Sequence, residues 1–558
     1  MKQCAILDKC GANPCSYVFE PNSPELTYQL PSSKPIVSKL PDAFTKFRPY
    51  ETIQFLNAEL VQYTPAVLKD LEAEMTVQLE RQMFYEFSKY SFECIFNANK
   101  IQSSEEQKID ESIKGVIKGF PQYLPKSIKD ETLGFESRFE SGNLGMVFKR
   151  DEFEYDLFLS PDFKTDKQIG WFFFRVYNTR KDRTYRFNIC NLMKSDTMFN
   201  SGSKVLCYSE KLGQFMYRGN CIISYPNQIK RQNYMTYSTL TFTMTFPEDN
   251  DSFFMMNSIP YTYSRLTNFL EYLESQEAFL PYLQRGVLSE TVLGNKSPLV
   301  IIGTKNTAKL KKAVLIDGRQ HPGEPLGSYV IESLILQILC PGIIGETLRD
   351  NFIFYICPML NPDGVLMGNQ RYNSQCLDLN RIWKEPTKEK SPTIFAIKKL
   401  AKDIKDEFKD VALFLDIHAH SRKFNCFFYS NPLKDKKDHV IVYLMQKYCS
   451  LYAINDTTYK ISKEKENSAR VIIWREIGIK LSYTLEVGYG GVTIGEFTGL
   501  GHSLKTLNEI GIGLAKSIFD LIDISRCKSV IFSDPKNEGI LVLEPSKSLD
   551  EKLISEIN

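Results

Sequence analysis

Four short apolar segments between residues 313 and 488 constrain the fold of this 558-residue chain more than any other feature. They are AVLIDGRQ (313–320), NFIFYICPML (351–360), VALFLDIHAH (411–420) and LSYTLEVG (481–488). Their length and continuous apolar character predict buried strands, and segments with helical periodicity, such as LGSYVIESLILQIL (326–339), separate them. Strands that alternate with helices predict an α/β domain with helices on both faces of the sheet.

A different pattern precedes this domain, from about residue 133 to 264. Short aromatic-rich segments with alternating polarity, such as FEYDLFLS and TLTFTMTF, are bounded there by Asp, Asn, Gly and Pro. Strands of that length and spacing predict an antiparallel β-sandwich. We therefore expect a sandwich over 131–270 and the α/β domain over 271–528. A partly helical N-terminal extension over 1–130, which the sequence does not place, and a charged tail over 529–558 complete the expected organisation.

The charge balance excludes several classes of partner. The net charge is only +2, which does not favour nucleic acid or a membrane as a partner, so an acidic substrate would require a local cluster of Arg and Lys. The thirteen cysteines are scattered without a CxxC pair, which predicts reduced thiols. The stretch MKQCAILDKCGANPCSYVFE lacks the apolar h-region typical of a signal peptide, and no apolar run approaches twenty residues. These features predict a soluble cytoplasmic protein.

The stretch DGRQHPGEPLGS (317–328) places two potential metal ligands at one turn. His321 precedes a proline and can end its strand, while Pro325 suits a first helical turn and puts Glu324 at the start of the helix. The two side chains then meet at the carboxyl edge of the sheet, where open α/β folds commonly bind ligands. Taken alone, such a pair arises easily by chance and would indicate only a turn.

A second cluster lies in LFLDIHAHS, where the strand period of two sends Asp416, His418 and His420 to one face. Three of the five histidines of the chain thus lie at strand ends of one domain. A single histidine here would more often be structural, but beside the first pair a third metal ligand becomes the better interpretation. Two histidines and one carboxylate leave one tetrahedral zinc position open for water, as catalytic sites require.

Glu486 and a group of polar side chains after residue 360 complete the candidate chemistry. Glu486 closes an apolar strand, where a carboxylate is costly without a partner or a role. It could take a proton from zinc-bound water and return it to a leaving amine, or form a salt bridge at the edge of the sheet. Arg371, Asn380 and Arg381 supply donors for a carboxylate or an oxyanion, although surface solvation is the ordinary role of a single Arg.

These motifs resemble those of a known family. HPGE, NPDGV with DLNR, DIHAHS and YTLE occur in the order found in zinc metallocarboxypeptidases, and most closely resemble the cytosolic carboxypeptidases. FESRFESGNL (135–144) and IPYTYSRL (259–266) resemble the β-sandwich domain that precedes the catalytic domain in those enzymes. The resemblance covers about 133–525. It implies an α/β catalytic domain of the metallocarboxypeptidase fold, with a mixed sheet, preceded by an all-β antiparallel sandwich.

The resemblance also implies a role for each site residue. His321, Glu324 and His418 would bind one Zn²⁺, and His420 would not be a ligand. The residues implied to act around the metal are Glu486 as general base and acid, Arg371 as the group that polarises the scissile carbonyl, and Asp378 as the carboxylate that orients the ring of His321. The terminal α-carboxylate of a substrate would be held by Asn380 and Arg381.

Substrate preference is implied by Arg470, which falls where such enzymes form the floor of the pocket for the terminal side chain. A cation there favours an acidic residue. The resemblance thus implies removal of C-terminal Glu, including polyglutamate chains such as those on tubulin, by a cytoplasmic enzyme that could associate with microtubules or cilia. Two alternatives are an aspartoacylase-like amidohydrolase, which uses the same His-x-x-Glu and His ligands, and an inactive pseudo-peptidase that binds acidic tails.

Overall fold

The computed structural model describes residues 38–48, 55–56, 93–98, 123–194, 197–231, 235–304, 311–408, 410–435 and 438–524. Two β-sheets come first, and a mixed sheet with helices on both faces follows. The predicted fold class is confirmed. Most of the N-terminal extension and the whole charged tail lie outside the described residues. The cysteines within the described residues are all free thiols.

The sandwich consists of two six-stranded sheets, ordered β1-β9-β8-β12-β6-β3 and β10-β11-β7-β5-β4-β2. Its strands are β1 (Phe55–Leu56), β2 (Glu93–Asn97), β3 (Gly134–Glu136), β4 (Leu144–Asp151), β5 (Glu154–Leu159), β6 (Phe173–Tyr177), β7 (Thr184–Leu192), β8 (Val205–Ser209), β9 (Gln214–Arg218), β10 (Asn220–Lys230), β11 (Thr236–Thr245) and β12 (Phe253–Met256). Pairing is antiparallel except for β1 with β9 and β5 with β7. β5 and β7 run parallel because the chain crosses to the other sheet through β6 between them.

The first of these sheets is buried on both faces. Phe174 and Met255 point into the core between the two sheets, whereas their neighbours Phe173 and Met256 point into a core shared with the α/β domain. This follows from the strand period of two, since every residue of β6 and β12 is apolar except Arg175 and Tyr177. The sandwich therefore packs against the α/β domain through an apolar sheet face.

Parts of the N-terminal extension belong to the sandwich. β1 and β2 lie before residue 130 yet pair with β9 and β4. A short helix, α1 (Asp42–Thr45), inserts Phe44 between the rings of Phe173, Phe215 and Phe254, with centroid distances of 5.0–5.6 Å. The boundary expected at 130 thus separates segments that fold together. A two-residue strand and a single aromatic anchor carry no periodic signal by which the sequence could reveal this.

The α/β domain is built on a seven-stranded mixed sheet ordered β13-β14-β16-β15-β17-β19-β18. The strands are β13 (Leu283–Glu290), β14 (Lys296–Ile302), β15 (Lys312–Gly318), β16 (Phe352–Cys357), β17 (Val411–His420), β18 (Cys426–Tyr429) and β19 (Ser482–Gly488). The four segments predicted as strands form the parallel centre, β16-β15-β17-β19, and antiparallel strands flank it. Because they are covered on both faces, these central strands are mainly apolar, and most of their polar residues lie towards their carboxyl ends.

Helices cover both faces of this sheet. The α-helices are α2 (Tyr263–Ser275), α3 (Leu326–Leu339), α4 (Ile343–Asn351), α5 (Pro362–Met367), α6 (Pro392–Glu407), α7 (Val440–Tyr448), α8 (Ala469–Ile472) and α9 (Leu504–Asp520). Short 3₁₀ segments lie at Met198–Ser201, Leu379–Arg381, Ile454–Asp456, Lys463–Lys465 and Leu521–Asp523, and a π-turn at Ile473–Ile477. Helices α3, α7 and α9 pack on the face that carries Val314 and Ile316, while α6 and α8 pack on the face that carries Leu315.

No single helix in the described part of the chain is both long and apolar enough to cross a membrane. Among the described helices, one pair, α3 with α4, has the length and composition of a span when the two are taken together, and these helices meet at 91°.

Candidate active site

A cleft of about 430 Å³ lies where the carboxyl ends of the central strands face the sandwich. The ends of β17 and β19 contribute His418 and Glu486, and the turn after β15 contributes His321 and Glu324. The sandwich contributes the opposite wall, including Lys194. The cleft thus combines side chains that lie far apart along the sequence, at the sheet edge where the sequence predicted a site.

The turn that carries His321 and Glu324 is held by Arg319. This residue adopts a left-handed backbone with φ 57°, which is unfavourable for a residue with a side chain. Its buried guanidinium compensates, since Nε donates to Pro322 O at 2.8 Å and Nη1 donates to Ser328 Oγ at 3.1 Å. Glu324 then lies directly before Pro325, which is the N-cap of α3, whereas the sequence predicted Pro325 within the first helical turn. The backbone is fixed on both sides of the two candidate ligands.

The three predicted metal ligands converge. Nδ1 of His321 lies 3.0 Å from one carboxylate oxygen of Glu324, and Nδ1 of His418 lies 2.8 Å from the other. The two Nδ1 atoms are 3.2 Å apart. Within the described residues this is the one group of three or more potential ligands whose donor atoms lie close enough to share an ion.

Both histidines are backed by carboxylates. Nε2 of His321 lies 3.0 Å from Asp378 Oδ1, and Nε2 of His418 lies 2.7 Å from Asp416 Oδ1. When the Nε2 protons are donated to these carboxylates, as metal binding requires, both Nδ1 lone pairs point at each other and at Glu324. Such a set of acceptors is repulsive unless a cation fills it. Two histidines and one carboxylate fit zinc, with a fourth position left for water.

The electrostatics of the cluster also require positive charge. Burial alone would raise the pKa of Glu324, but His321 and His418 hold that pKa well below its ordinary value. Burial would lower the pKa of His418, yet Asp416 and Glu324 raise it well above its ordinary value. The buried carboxylates therefore stabilise a cation between them.

Glu486 lies beside this cluster and lines the cleft. It pairs in register with His418 across β17 and β19, so both side chains project from the same face of the sheet. No hydrogen-bond donor in the described part of the chain reaches its carboxylate. Burial, reinforced by the charge of Glu324, raises the pKa of Glu486 to about 7. A carboxylate with a pKa near neutrality is suited to accept and return a proton.

Arg371 is held beside the cluster from two directions. Its Nε donates to Asp378 Oδ2 at 2.7 Å, so one carboxylate bridges Arg371 and the ring of His321. The carboxylate of Asp162, in the sandwich, accepts the backbone N–H groups of Gln370 at 2.5 Å, Arg371 at 2.7 Å and Tyr372 at 2.7 Å. Asp162 was not predicted from the sequence, because nothing local to it indicates a partner more than 200 residues away.

The residues predicted to hold a terminal carboxylate differ in how they are engaged. The Nδ2 atom of Asn380 donates to Asp416 Oδ2 at 3.1 Å and lies 2.9 Å from His418 Nε2. Its Oδ1 accepts the N–H of Ala469 at 2.8 Å, so its amide supports the metal cluster in this structure. Arg381 lines the cleft, and its Nη1 donates to Asn380 O at 2.8 Å.

Arg470 lies deep in the wall of the cleft and is only 1% exposed. Its Nη1 donates to Ser430 O and, at 3.0 Å, to Asn431 Oδ1. Burial lowers the pKa of Arg470 to about 10. The guanidinium is thus fixed and desolvated, which is the environment in which a cation discriminates most strongly between charged and neutral ligands.

His420 stays outside the cluster, as the resemblance implied. Its ring packs at 5.4 Å from that of Phe427, and its Nδ1 accepts the N–H of Arg422 at 3.3 Å. Burial lowers the pKa of His420 to about 4. A further cleft residue that the sequence did not indicate is Tyr489, whose hydroxyl donates to Gly323 O beside Glu324.

The fold and this site define a zinc carboxypeptidase domain. The family described as zinc carboxypeptidase matches residues 269–495, and the family described as cytosolic carboxypeptidase N-terminal domain matches residues 135–255. The chain therefore carries a zinc carboxypeptidase domain that is preceded by a cytosolic carboxypeptidase N-terminal domain. This assignment also disfavours the aspartoacylase-like alternative.

Individual relatives agree with this assignment. Cytosolic carboxypeptidase 2 of Danio rerio is 35% identical over 450 residues, which are 78% of this chain and 62% of the relative. Cytosolic carboxypeptidase 1 of Mus musculus is 33% identical over 449 residues, covering 73% of this chain and 36% of the relative. The chain therefore spans less than two thirds of the length of these relatives.

A solved structure shares the fold. The metallo-carboxypeptidase from Burkholderia cenocepacia aligns over 70% of this chain and 99% of its own, with a TM-score of 0.57 and 21% sequence identity.

Proposed function

We propose that this protein is a zinc-dependent carboxypeptidase that removes C-terminal glutamate residues from proteins, including polyglutamate chains such as those on tubulin. One observation carries the proposal. The His321–Glu324–His418 cluster opens, beside Glu486, into a cleft whose remaining charged side chains are almost all cationic.

The charges of the cleft support an acidic substrate. Its cationic lining residues are Lys194, Lys204, Arg371, Arg381, Arg422, Lys465 and Arg470. Its acidic lining residues are Glu324, Glu464 and Glu486, of which the first is a candidate metal ligand and the last the candidate base. Because the whole chain carries a net charge of only +2, this local excess distinguishes the cleft from the rest of the protein.

The proposed reaction is hydrolysis of the last peptide bond. His321, Glu324 and His418 would hold the zinc ion, which when bound acidifies a water molecule and polarises a carbonyl. Glu486 takes the proton of the attacking water and delivers it to the departing amine. The guanidinium of Arg371 stabilises the negative charge that develops on the carbonyl oxygen.

The arginines of the cleft make the enzyme an exopeptidase in this proposal. Arg381 binds the free α-carboxylate, so that only the last residue of a chain reaches Glu486. Asn380 contributes by holding Asp416 behind His418, and it can reach the substrate only by exchanging those contacts. Arg470 stabilises an acidic terminal side chain.

Cleavage of defined peptides tests the proposal. Tubulin-tail peptides with linear or branched glutamates, and matched peptides ending in Gln or Lys, are incubated with the zinc-loaded protein and analysed by mass spectrometry. We expect stepwise loss of terminal Glu, with the Gln and Lys peptides largely intact and no loss with Glu486→Gln. Zinc-loaded protein that releases no terminal residue would instead favour the inactive acidic-tail binder.

We also propose that the protein acts in the cytosol and, through its substrates, on microtubules or cilia. The support is the word cytosolic in the names of its relatives and the fit of glutamylated tubulin tails to a cationic cleft. Co-localisation of the tagged protein with microtubules or axonemes tests the location. A diffuse distribution unaffected by microtubule depolymerisation would contradict the association.

A further inference from the structure

Lys465 lies in the wall of the cleft on the short 3₁₀ segment Lys463–Lys465. Its Nζ is 3.5 Å from the centroid of the Tyr429 ring, which holds the ammonium by a cation–π interaction. Tyr429 ends β18, which pairs with the strand that carries Glu486. The ammonium is therefore positioned by the same sheet edge as the candidate base.

This ammonium has no anionic partner in the described part of the chain. No carboxylate there forms an ion pair or hydrogen bond with Nζ. The side chain is half-buried, and burial together with the charges of Arg470 and Arg381 lowers its pKa, while Glu486 opposes that shift. A desolvated cation without a counter-ion is unfavourable unless a ligand supplies the negative charge. The neighbouring Lys463, by contrast, is exposed to solvent.

The two arginines nearby already have partners among backbone carbonyls. Nη1 of Arg470 donates to Ser430 O and Asn431 Oδ1, and Nη1 of Arg381 donates to Asn380 O. A terminal acidic residue brings two carboxylates into this space, and each needs a cation. The ammonium of Lys465 faces the cleft with all three of its donors outside any hydrogen bond to described residues.

We propose that Lys465 binds the side-chain carboxylate of an acidic C-terminal residue, as a second cation beside Arg470. This inference rests on the proposed carboxypeptidase function and deepens it, because it names a residue that determines specificity. A pocket with two cations selects for a charged carboxylate over the neutral, equally sized amide of Gln, since the amide carries no charge to neutralise either cation.

Substitution of Lys465 by Met tests the inference, because Met keeps much of the aliphatic length and removes the charge. The zinc-loaded wild type, Lys465→Met and the matched control Lys463→Met are compared on one peptide that ends in Glu and on the same peptide ending in Gln. For Lys465→Met we expect kcat/KM on the Glu peptide to fall about 10- to 100-fold, mainly through KM. The turnover of the Gln peptide by Lys465→Met should stay within about twofold of the wild type. The turnover of both peptides by Lys463→Met should also stay within about twofold of the wild type.

Two outcomes would overturn the inference. One is an unchanged preference for Glu over Gln in Lys465→Met. The other is an equal loss of kcat on both peptides, because Lys465 would then act through Glu486 or through the fold. Lys465→Arg, which keeps the charge, should recover most of the Glu preference and serves as the test if the Met variant does not fold. A wild type that releases neither residue would refute the proposed function instead.

Discussion

The substitution Glu486→Gln should stabilise the metal-free protein, and increasingly so as the pH rises. Burial raises the pKa of this carboxyl to about 7 in the folded state, against an ordinary value of 4.5. The folded protein therefore binds this proton more tightly than the unfolded chain does. The associated stability is fully present below pH 4.5 and is lost as the pH rises through about 7. Gln has no proton to lose, so the variant keeps its stability.

The magnitude follows from the two pKa values. At about 1.4 kcal/mol per pH unit, the difference corresponds to about 3 kcal/mol in the free energy of unfolding. We expect about 1–2 kcal/mol, because the carboxylate is partly exposed to the solvent of the cleft. For a domain of this size each kcal/mol moves Tm by about 2–4 °C.

Thermal unfolding of both proteins, stripped of metal with a chelator, at pH 5, 6, 7 and 8 measures the effect. Metal-free protein is required because a divalent cation beside the carboxylate would itself lower the pKa. We expect the Tm of the variant to exceed that of the wild type by several degrees at pH 8 and by little at pH 5. A difference in Tm that does not change with pH would refute the raised pKa of Glu486.

The Glu486→Gln variant also separates the proposed role of Glu486 in proton transfer from metal binding. Gln keeps the size of the side chain, and the carboxylate does not touch the converging Nδ1 atoms of His321 and His418 through any hydrogen bond. We expect near-stoichiometric zinc by elemental analysis and a fall in kcat of at least about 100-fold. Near-normal turnover with zinc bound would mean that another group acts as the base.

Three further substitutions probe the supports of the site. Asp378→Asn removes the carboxylate shared by His321 and Arg371, so zinc affinity, measured by competition with a chelating dye, should fall about 10- to 100-fold. Asp162→Ala leaves three backbone N–H groups without their acceptor, so kcat should fall while zinc content stays constant, and amide hydrogen exchange around Arg371 should quicken. Unchanged exchange there would contradict the role of Asp162. Gly327→Val should lower Tm clearly, because even a Cβ at this position would lie 3.0 Å from atoms of Ile417 in β17. A Tm within about 1 °C of the wild type, which is about the error of the measurement, would show instead that α3 can shift away from β17.

The sequence predicted the metal cluster well because the chemistry restricts it strongly. The chain has only five histidines, and those at 321 and 418 both follow strongly apolar segments. Zinc binds few types of side chain, and residues at the carboxyl ends of neighbouring parallel strands lie close together at one edge of the sheet. The predicted family, the fold class and a single metal cluster are confirmed.

Contacts between distant segments could not be predicted in the same way. Phe44 completes an aromatic cluster, and Asp162 holds the loop of Arg371, yet each lies in a stretch without periodicity or motif. The orientation of the Asn380 side chain could not be predicted from the sequence either, since its amide can face a substrate or the carboxylate of Asp416, depending on the rotamer. Such features depend on which surfaces meet after each sheet has formed, and that information is spread over the whole chain.

The role of the sandwich in the site follows from these distant contacts. Ser141 Oγ donates to Val365 O at 2.8 Å, and Tyr217 Oη donates to His502 O at 2.7 Å, so the sandwich contacts segments on two sides of the cleft. With Asp162 it fixes the backbone that presents Arg371. Because one of its sheets is apolar on both faces, removing it would expose a large apolar surface and release this loop. The metal cluster belongs to the α/β domain alone, but the loop that carries Arg371 is positioned by both domains.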